Sequence, residues 1–389
     1  MIRQFFADVG EDGMPVAPTL AFQDTLSKFR NALRLLEKQQ ERVPVDDEEN
    51  FPFLLLQKLA EIGGLSATLP VENGGRGLHD SPVGMEALSE LLRLAGRLNL
   101  ALGRCLEGHL NVVRLVSLYG SARQRVLLAE YLQHNTLAGI WVTDGVPPVA
   151  LVQNGNEIRL TGQKGFASAV RAVGVALITA RTEQGDTVMV LVPVGERARM
   201  GPGPGHLTGM SGSGTGSYAF TGVVVPSTNI IGKPGDYLRQ PEFSAGAWRG
   251  SAVALGGMDH LVHLLLEELR GRDRASNPHQ QVRIGEALIL RETASMWVRR
   301  AAMAACNSHA EAGETVAIVN LARIAVEQSA LALIPLVQRG LGVMAFVRGR
   351  PVERVMRDLA TYLRQPAPDE TLTEAAGWFT EHEWPENVA

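Results

Sequence analysis

Residues able to do acid–base or covalent chemistry are sparse in this sequence. Nine histidines are scattered without H-x-x-x-H spacing or carboxylate pairing, a pattern that points to no metal. His109 in CLEGHLNVV, and His260 and His263 in GGMDHLVHLLL, stand alone on apolar helical runs. There a histidine is as readily a satisfied core or surface residue as a proton carrier. No G-x-S-x-G elbow occurs, and neither Cys105 nor Cys306 has a nearby base, so covalent catalysis is not expected. GPGPG at Gly201–Gly205 lacks the G-K-[ST] that a phosphate loop requires. There remains RDLATYLRQPAPDETL, Arg357–Leu372, in which Asp369 and Glu370 follow a Pro-Ala-Pro turn. Two carboxylates after irregular backbone either reach a ligand or belong to the start of the next helix, with Asp369 or Thr371 as its N-cap.

Composition narrows the setting. The formal net charge of −4 and pI of about 6.2 leave no basic field for nucleic acid. Two cysteines in 389 residues imply no disulfide framework, and a reducing, cytoplasmic setting is the simplest. The opening MIRQFFADVGEDGMPV lacks the apolar run of a secretory signal. No uninterrupted apolar stretch reaches the length of about eighteen residues that suggests a membrane span.

Three blocks must position whatever chemistry there is. From about Leu20 to Leu137 apolar residues recur at three- and four-residue spacing, as in TLSKFRNALRLLEKQ and VVRLVSLYGSARQRVLLAEYL, which predicts amphipathic helices. GGLSATLPVENGGRGLHDSP interrupts them as a loop. From about Ala138 to Ile231 the period changes to two, in NEIRLTGQKGFAS, VGVALITAR, TVMVLVPV and GSYAFTGVVVP. That predicts a small β domain of about six to eight strands, with a long loop through MGPGPGHLTGMSGSGTGS. From about Phe243 helical spacing returns and persists, which suits a bundle with faces left for a partner subunit. The expected architecture is α+β with domains 1–137, 138–238 and 239–389.

Several segments, in this order, resemble the acyl-CoA dehydrogenase superfamily. LAEIGGLSATLPVENGGRGL resembles its N-terminal signature, and LTGMSGSGTGSYAFTGVVVP its middle-domain motif. VQRGLGVMAFVRGRPVERVMRDL resembles Q-x-x-G-G-x-G followed by P-V-E-R-x-x-R-D. The resemblance spans about Phe51 to Tyr362. It implies an N-terminal helical domain, a middle β-barrel-like domain and a C-terminal four-helix bundle, in a homodimer or homotetramer. It also implies FAD, with the flavin between the β domain and the bundle, an acyl or thioester substrate, and an electron-transfer partner.

The flavin contacts carried over by the resemblance are Trp141, Val142 and Thr143 at a strand end, Phe166, Ala167 and Ser168 on the next, and Gln338, Gly340 and Gly342 in the bundle. The family's G-S-D after the first strand is missing, which leaves its CoA contact without a counterpart. Phe166 stands where the family has Trp, and Leu341 where it has a second Gly. Thr143, Ser168 and the glycines are each, taken singly, also ordinary strand-end, turn and helix-end residues.

The family's catalytic glutamate lies eight residues after the Asp of the R-D pair, and from Asp358 that count reaches Pro366. Proline accepts no proton and has no N–H to offer. The alternative base position, before Arg249, is Trp248. Asp369 and Glu370 are the nearest substitutes, while the R-D pair itself, Arg357–Asp358, is expected to be structural. Thr215, Gly216 and Ser217 match the G-T-G-S of a monooxygenase branch that uses reduced FMN or FAD and needs no α-proton base. There His109 would face the substrate. Three readings follow: a dehydrogenase-like flavoprotein oxidoreductase acting on a thioester or related carbonyl compound, a flavin-dependent monooxygenase, and a non-catalytic flavin- or acyl-binding member.

Overall fold

The computed structural model describes residues 50–385 except 80, 204 and 206, together with Ser27, Asn31 and Leu35, which are helical. The remainder of the first expected helix, and the N-terminal stretch read for a signal, lie outside the described residues. Helices α1 (Phe53–Glu61), α2 (Pro82–Leu98), α3 (Leu100–Tyr119) and α4 (Ala122–Gln133) follow the three- and four-residue periodicity. Their boundaries have local causes. Ser81 caps α2 with Pro82 in its first turn. Asn99, extended at φ −163°, ends α2 and accepts the Leu102 N–H to start α3. Ser121 and Gln124 form a reciprocal capping box on α4.

Among the described residues ten strands follow between Leu137 and Ile231, more than the six to eight expected. Two of them, β7 (Met200–Gly201) and β10 (Ile230–Ile231), are two residues long, too short to show a period. The larger sheet runs β10, β6 (Thr187–Pro193), β5 (Val173–Arg181), β2 (Ala150–Asn154), β3 (Glu157–Thr161), β9 (Val224–Pro226), with β1 (Leu137–Trp141) parallel to β5. β5 is buried along nearly its whole length, hence its continuous apolar run. β4 (Gln163–Ala167), β8 (Gly216–Ala219) and β7 form a second, small sheet. Val112, Val113 and Val116 of α3 and Leu128 of α4 share one core with Val175, Leu177, Met189 and Leu191 of the larger sheet, so the helical block and the sheet are packed as one body.

After a short turn of helix, α5 (Glu242–Ala245), the bundle comprises α6 (Trp248–Gly271), α7 (Pro278–Cys306), α8 (Ala312–Leu341), α9 (Pro351–Tyr362) and α10 (Pro368–Glu381). Gly96 and Gly256 let α2 and α6 touch backbone to backbone: a Cβ at Gly256 would lie 2.0 Å from the Arg93 carbonyl oxygen. Asp259 of α6, buried there, accepts from Arg93 at 2.5 Å and Arg291 at 2.8 Å, linking α2, α6 and α7. Among the described helices, only the one running through Ala312–Phe346 is long and apolar enough, by length and composition, to cross a membrane. Here it packs within the bundle, and it carries Asn320, Arg323 and Glu327 on a cavity wall.

Candidate active site

A cavity of about 1020 Å3 opens between the small sheet, loop 207–215, α9 and the C-terminal end of α8. Ligand and cofactor sites run to roughly 300–1,000 Å3. Val142, Thr143, Phe166 and Ser168 form one wall. Lys164, fully buried on β4, fixes that wall. Its ammonium donates to Asp144 Oδ1 (2.6 Å), Thr179 Oγ1 (2.9 Å) and the Val142 carbonyl (3.1 Å). Burial lowers its pKa, and Asp144 pulls the other way. The pairing of β4 with β8 slips between Lys164 and Ala167, and Phe166 sits in that bulge at φ 48° with its ring half exposed to the cavity. Behind the wall, the buried Trp141 ring packs on Tyr218 and its Nε1–H donates to the Ser168 carbonyl at 3.1 Å.

The loop is held over the cavity from α9. Asp358 Oδ1 accepts the Met210 N–H at 2.6 Å, and Arg357 Nη1 donates to the Thr208 carbonyl at 3.1 Å while its other nitrogens grip Glu353. A side chain at Gly209 would meet the Arg357 carbonyl oxygen at 2.4 Å, so only glycine permits this approach. Arg357 and Asp358 are structural, and what they structure is the cavity rim. Further along the loop, Ser213 and Thr215 share a hydrogen bond of 2.8 Å.

At the far end of α9, Pro366 lines both this cavity and a second one of about 430 Å3 between α3, α6 and α8. Arg323 of α8 donates through Nη2 to the Pro366 carbonyl and through Nη1 to Thr371 Oγ1. Ala367 is left-handed at φ 51° and takes the N-cap position of α10 without a side-chain cap. This corrects the expectation that Asp369 or Thr371 would cap: Pro368 starts the helix earlier, and the Thr371 hydroxyl donates back to the Ala367 carbonyl. Asp369 and Glu370 lie exposed in the first turn, where the helix dipole favours them, and line neither cavity.

Glu107 of α3 faces the second cavity. Its Oε2 accepts from Arg104 at 2.7 Å and from the Tyr362 hydroxyl at 3.3 Å. Burial, then the Glu107 charge, holds the Tyr362 pKa well above its ordinary value, so the phenol stays protonated. Two residues along α3, on the opposite side of the helix, His109 is fully buried and lines neither cavity. Its Nδ1 accepts the Ala138 N–H at 2.9 Å, which leaves Nε2–H to donate to the Leu65 carbonyl at 2.8 Å. Burial pushes its pKa down to about 4. In this position His109 joins α3, the first loop and β1.

No family model matches the chain. Two curated relatives do. A Bacillus subtilis (strain 168) protein described as a probable acyl-CoA dehydrogenase, YngJ, is 24% identical over 54% of this chain and 58% of its own length. The acryloyl-CoA reductase (NADH) of Anaerotignum propionicum is 27% identical over 66% of this chain and 68% of its own. The chain thus spans under two thirds of the first relative. Among solved structures, TdsC from Paenibacillus sp. A11-2, a dibenzothiophene monooxygenase seen with FMN and indole, superposes with TM-score 0.80 at 19% identity, covering 94% of this chain and 98% of TdsC. Butyryl-CoA dehydrogenase from Megasphaera elsdenii gives 0.78 at 16%, covering 94% and 99%. The chain has the fold of these structures, that of the acyl-CoA dehydrogenases.

Of the positions carried over from the superfamily, Val142, Thr143, Phe166, Ser168 and Gln338 meet at the larger cavity. Trp141 and Ala167 are buried beneath its wall. Gly340 and Gly342 do not line it: Gly340 lets Leu265 pack against α8 and its carbonyl accepts from Gln280, and Gly342, at φ 64°, ends the helix. Trp248 is fully buried, and Arg249 behind it, pushed down to a pKa of about 10 by burial, donates to Asn111. His260 and His263 lie on α6 outside both cavities, His263 being half exposed beside Glu267. Sequence reasoning passed over Lys164, Glu107, Asn320 and Arg323. The signal for Lys164 was a charge at an inward strand position. The other three face a cavity only once α3, α6 and α8 have been brought together.

Proposed function

We propose that this chain is a flavin-dependent oxidoreductase of the acyl-CoA dehydrogenase superfamily, holding flavin in the larger cavity and substrate in the smaller, and that it works as a monooxygenase. The observation that carries the monooxygenase reading is the turn at Pro366. The position of the family's base holds a proline whose carbonyl is tied to Arg323, and the nearest acids, Asp369 and Glu370, point to solvent. The larger cavity fits a flavin, FMN or FAD, by its volume, its hydroxyls at Thr143, Ser168, Ser213 and Thr215, and the aromatic face of Phe166. Phe166, Met210 and Ala367, all at positive φ without being glycine, stand at these cavities, as strained backbone does at ligand sites.

Reduced flavin, when bound, would supply two electrons to dioxygen, one oxygen atom passing to the substrate and the other leaving as water. The residues here orient and shield. Lys164 fixes the strand end carrying Thr143, Phe166 covers the site from water, and Asp358 and Arg357 close the loop over it. Tyr362, protonated and shared by both cavities, donates at their junction. Electrons would arrive from a separate reductase or as diffusible reduced flavin, in a cytoplasmic setting. The substrate is a small molecule.

A second reading, dehydrogenation of an acyl thioester, is favoured by one observation. Glu107 lines the cavity, and its Oε1 accepts no hydrogen bond among the described residues. In that reading Glu107, rather than Asp369 or Glu370, takes the α proton. The binding-only reading gains nothing, because Phe166 and Leu341 leave the larger cavity open and Leu341 turns into the bundle. Anaerobic titration with oxidised and reduced FMN and FAD tests all three. Preference for reduced flavin, with oxygen uptake on adding it, is expected. Stoichiometric oxidised FAD, bleached by a thioester, would replace the monooxygenase reading with the dehydrogenase one. Binding of neither form would remove both.

A further inference from the structure

The smaller cavity sets polar side chains among apolar ones such as Phe243, Ala254 and Val326. Asn320 of α8 and Ser251 of α6 are each only 6% exposed, yet neither side chain makes a hydrogen bond among the described residues. Both line the cavity, and neither is among the polar atoms sealed away from it. Glu107 adds a third free acceptor from α3. Three helices thus converge polar groups without a protein partner on one space, where a hydrogen-bonding occupant can replace the water that an apolar one would only displace.

Charge tells the same space apart from an ion site. Glu107 is matched by Arg104 at 2.7 Å and Glu327 by Arg364 at 3.4 Å, which leaves Arg323 and Glu374, one of each sign, in the lining. No net charge remains to select an anion or a cation.

Resting on the reading of this cavity as the substrate chamber, we infer that its substrate is a neutral, multiply hydrogen-bonding compound, hydroxylated or amide-bearing. An unbranched alkyl chain is bound less well. Asn320 and Ser251 set that preference. A straight alkyl group would strip water from the Asn320 amide, the Ser251 hydroxyl and the Glu107 carboxylate and return no hydrogen bond.

Xylitol and 1-pentanol have the same five-carbon chain and no charge, and differ in their hydroxyls. Saturation-transfer NMR on the full chain should show the xylitol signal exceeding that of 1-pentanol by at least about tenfold. Ser251→Ala with Asn320→Leu should reverse the order. Should the double variant fail to fold, by its circular dichroism melt, Ser251→Ala alone removes one oxygen and should cut the preference several-fold. Equal or stronger 1-pentanol binding to the wild type, or a preference unchanged in the variant, overturns the inference. Flavin titration of the same samples reports on the larger cavity separately. Loss of flavin binding with the xylitol preference intact would sink the flavin reading alone, and the converse would sink this one alone.

Discussion

Asp358 accepts the Met210 N–H at 2.6 Å across 148 residues of sequence, so a motif acid on α9 holds the loop that roofs the larger cavity. Removing it leaves a turn N–H at positive φ with no partner. We expect Asp358→Ala to cost about 1–3 kcal/mol of stability in denaturant unfolding and to weaken flavin binding about tenfold. Unaltered flavin affinity in a folded variant would mean the loop does not contribute to the site.

Phe166 holds φ 48° in its bulge, a conformation glycine adopts without strain. Phe166→Gly should therefore leave stability unchanged or raise it by up to about 1 kcal/mol, while flavin affinity falls for want of the ring. A variant that loses both stability and flavin would show that the ring is packing rather than a ligand contact.

The order of helices, strands and helices was legible in periodicity alone, because β5 and the bundle helices bury continuous apolar faces. The Thr143, Phe166 and Ser168 wall was legible only through the family resemblance, since each residue alone is an ordinary strand or turn residue. The second cavity was not legible at all. Glu107, Ser251 and Asn320 are separated by more than a hundred residues in sequence at their widest, and nothing local to any of them marks it as facing another helix. Asp369 and Glu370 misled for the opposite reason: they are conspicuous in sequence, and α10, capped at Ala367 rather than at Asp369 or Thr371, holds them exposed in its first turn.

His109 gives the fold a defined acid sensitivity. Its pKa of about 4 in the folded protein lies below the ordinary 6.5, so between those values the unfolded chain binds a proton that the native state does not. Stability from this group is complete above about pH 6.5 and falls progressively towards pH 4, by roughly 3 kcal/mol in all. The buried His79, also shifted down, acts in the same direction. Guanidinium unfolding at pH 7 and pH 5 should show a steep loss in the wild type and a shallower one in His109→Gln. Parallel pH dependences would assign the effect elsewhere.

Along α7, Val282, Ile289 and Met296 recur every seven residues and are each about 60–67% exposed. A stripe of this kind on a bundle helix fits a subunit interface. Size-exclusion chromatography with light scattering should give a homodimer or homotetramer, and Ile289→Glu with Met296→Glu should give a monomer. A wild-type chain that runs as a monomer would leave the stripe without this explanation.

Tyr362, Gln365 and Pro366 belong to the walls of both cavities, so the two chambers share one short segment of backbone. A ligand that shifts this short segment in one chamber changes the affinity of the second, and linkage requires the return effect to be equal in factor. The proline at 366 thus makes the partition between the chambers a messenger: each occupant would be sensed by the other through three residues of backbone.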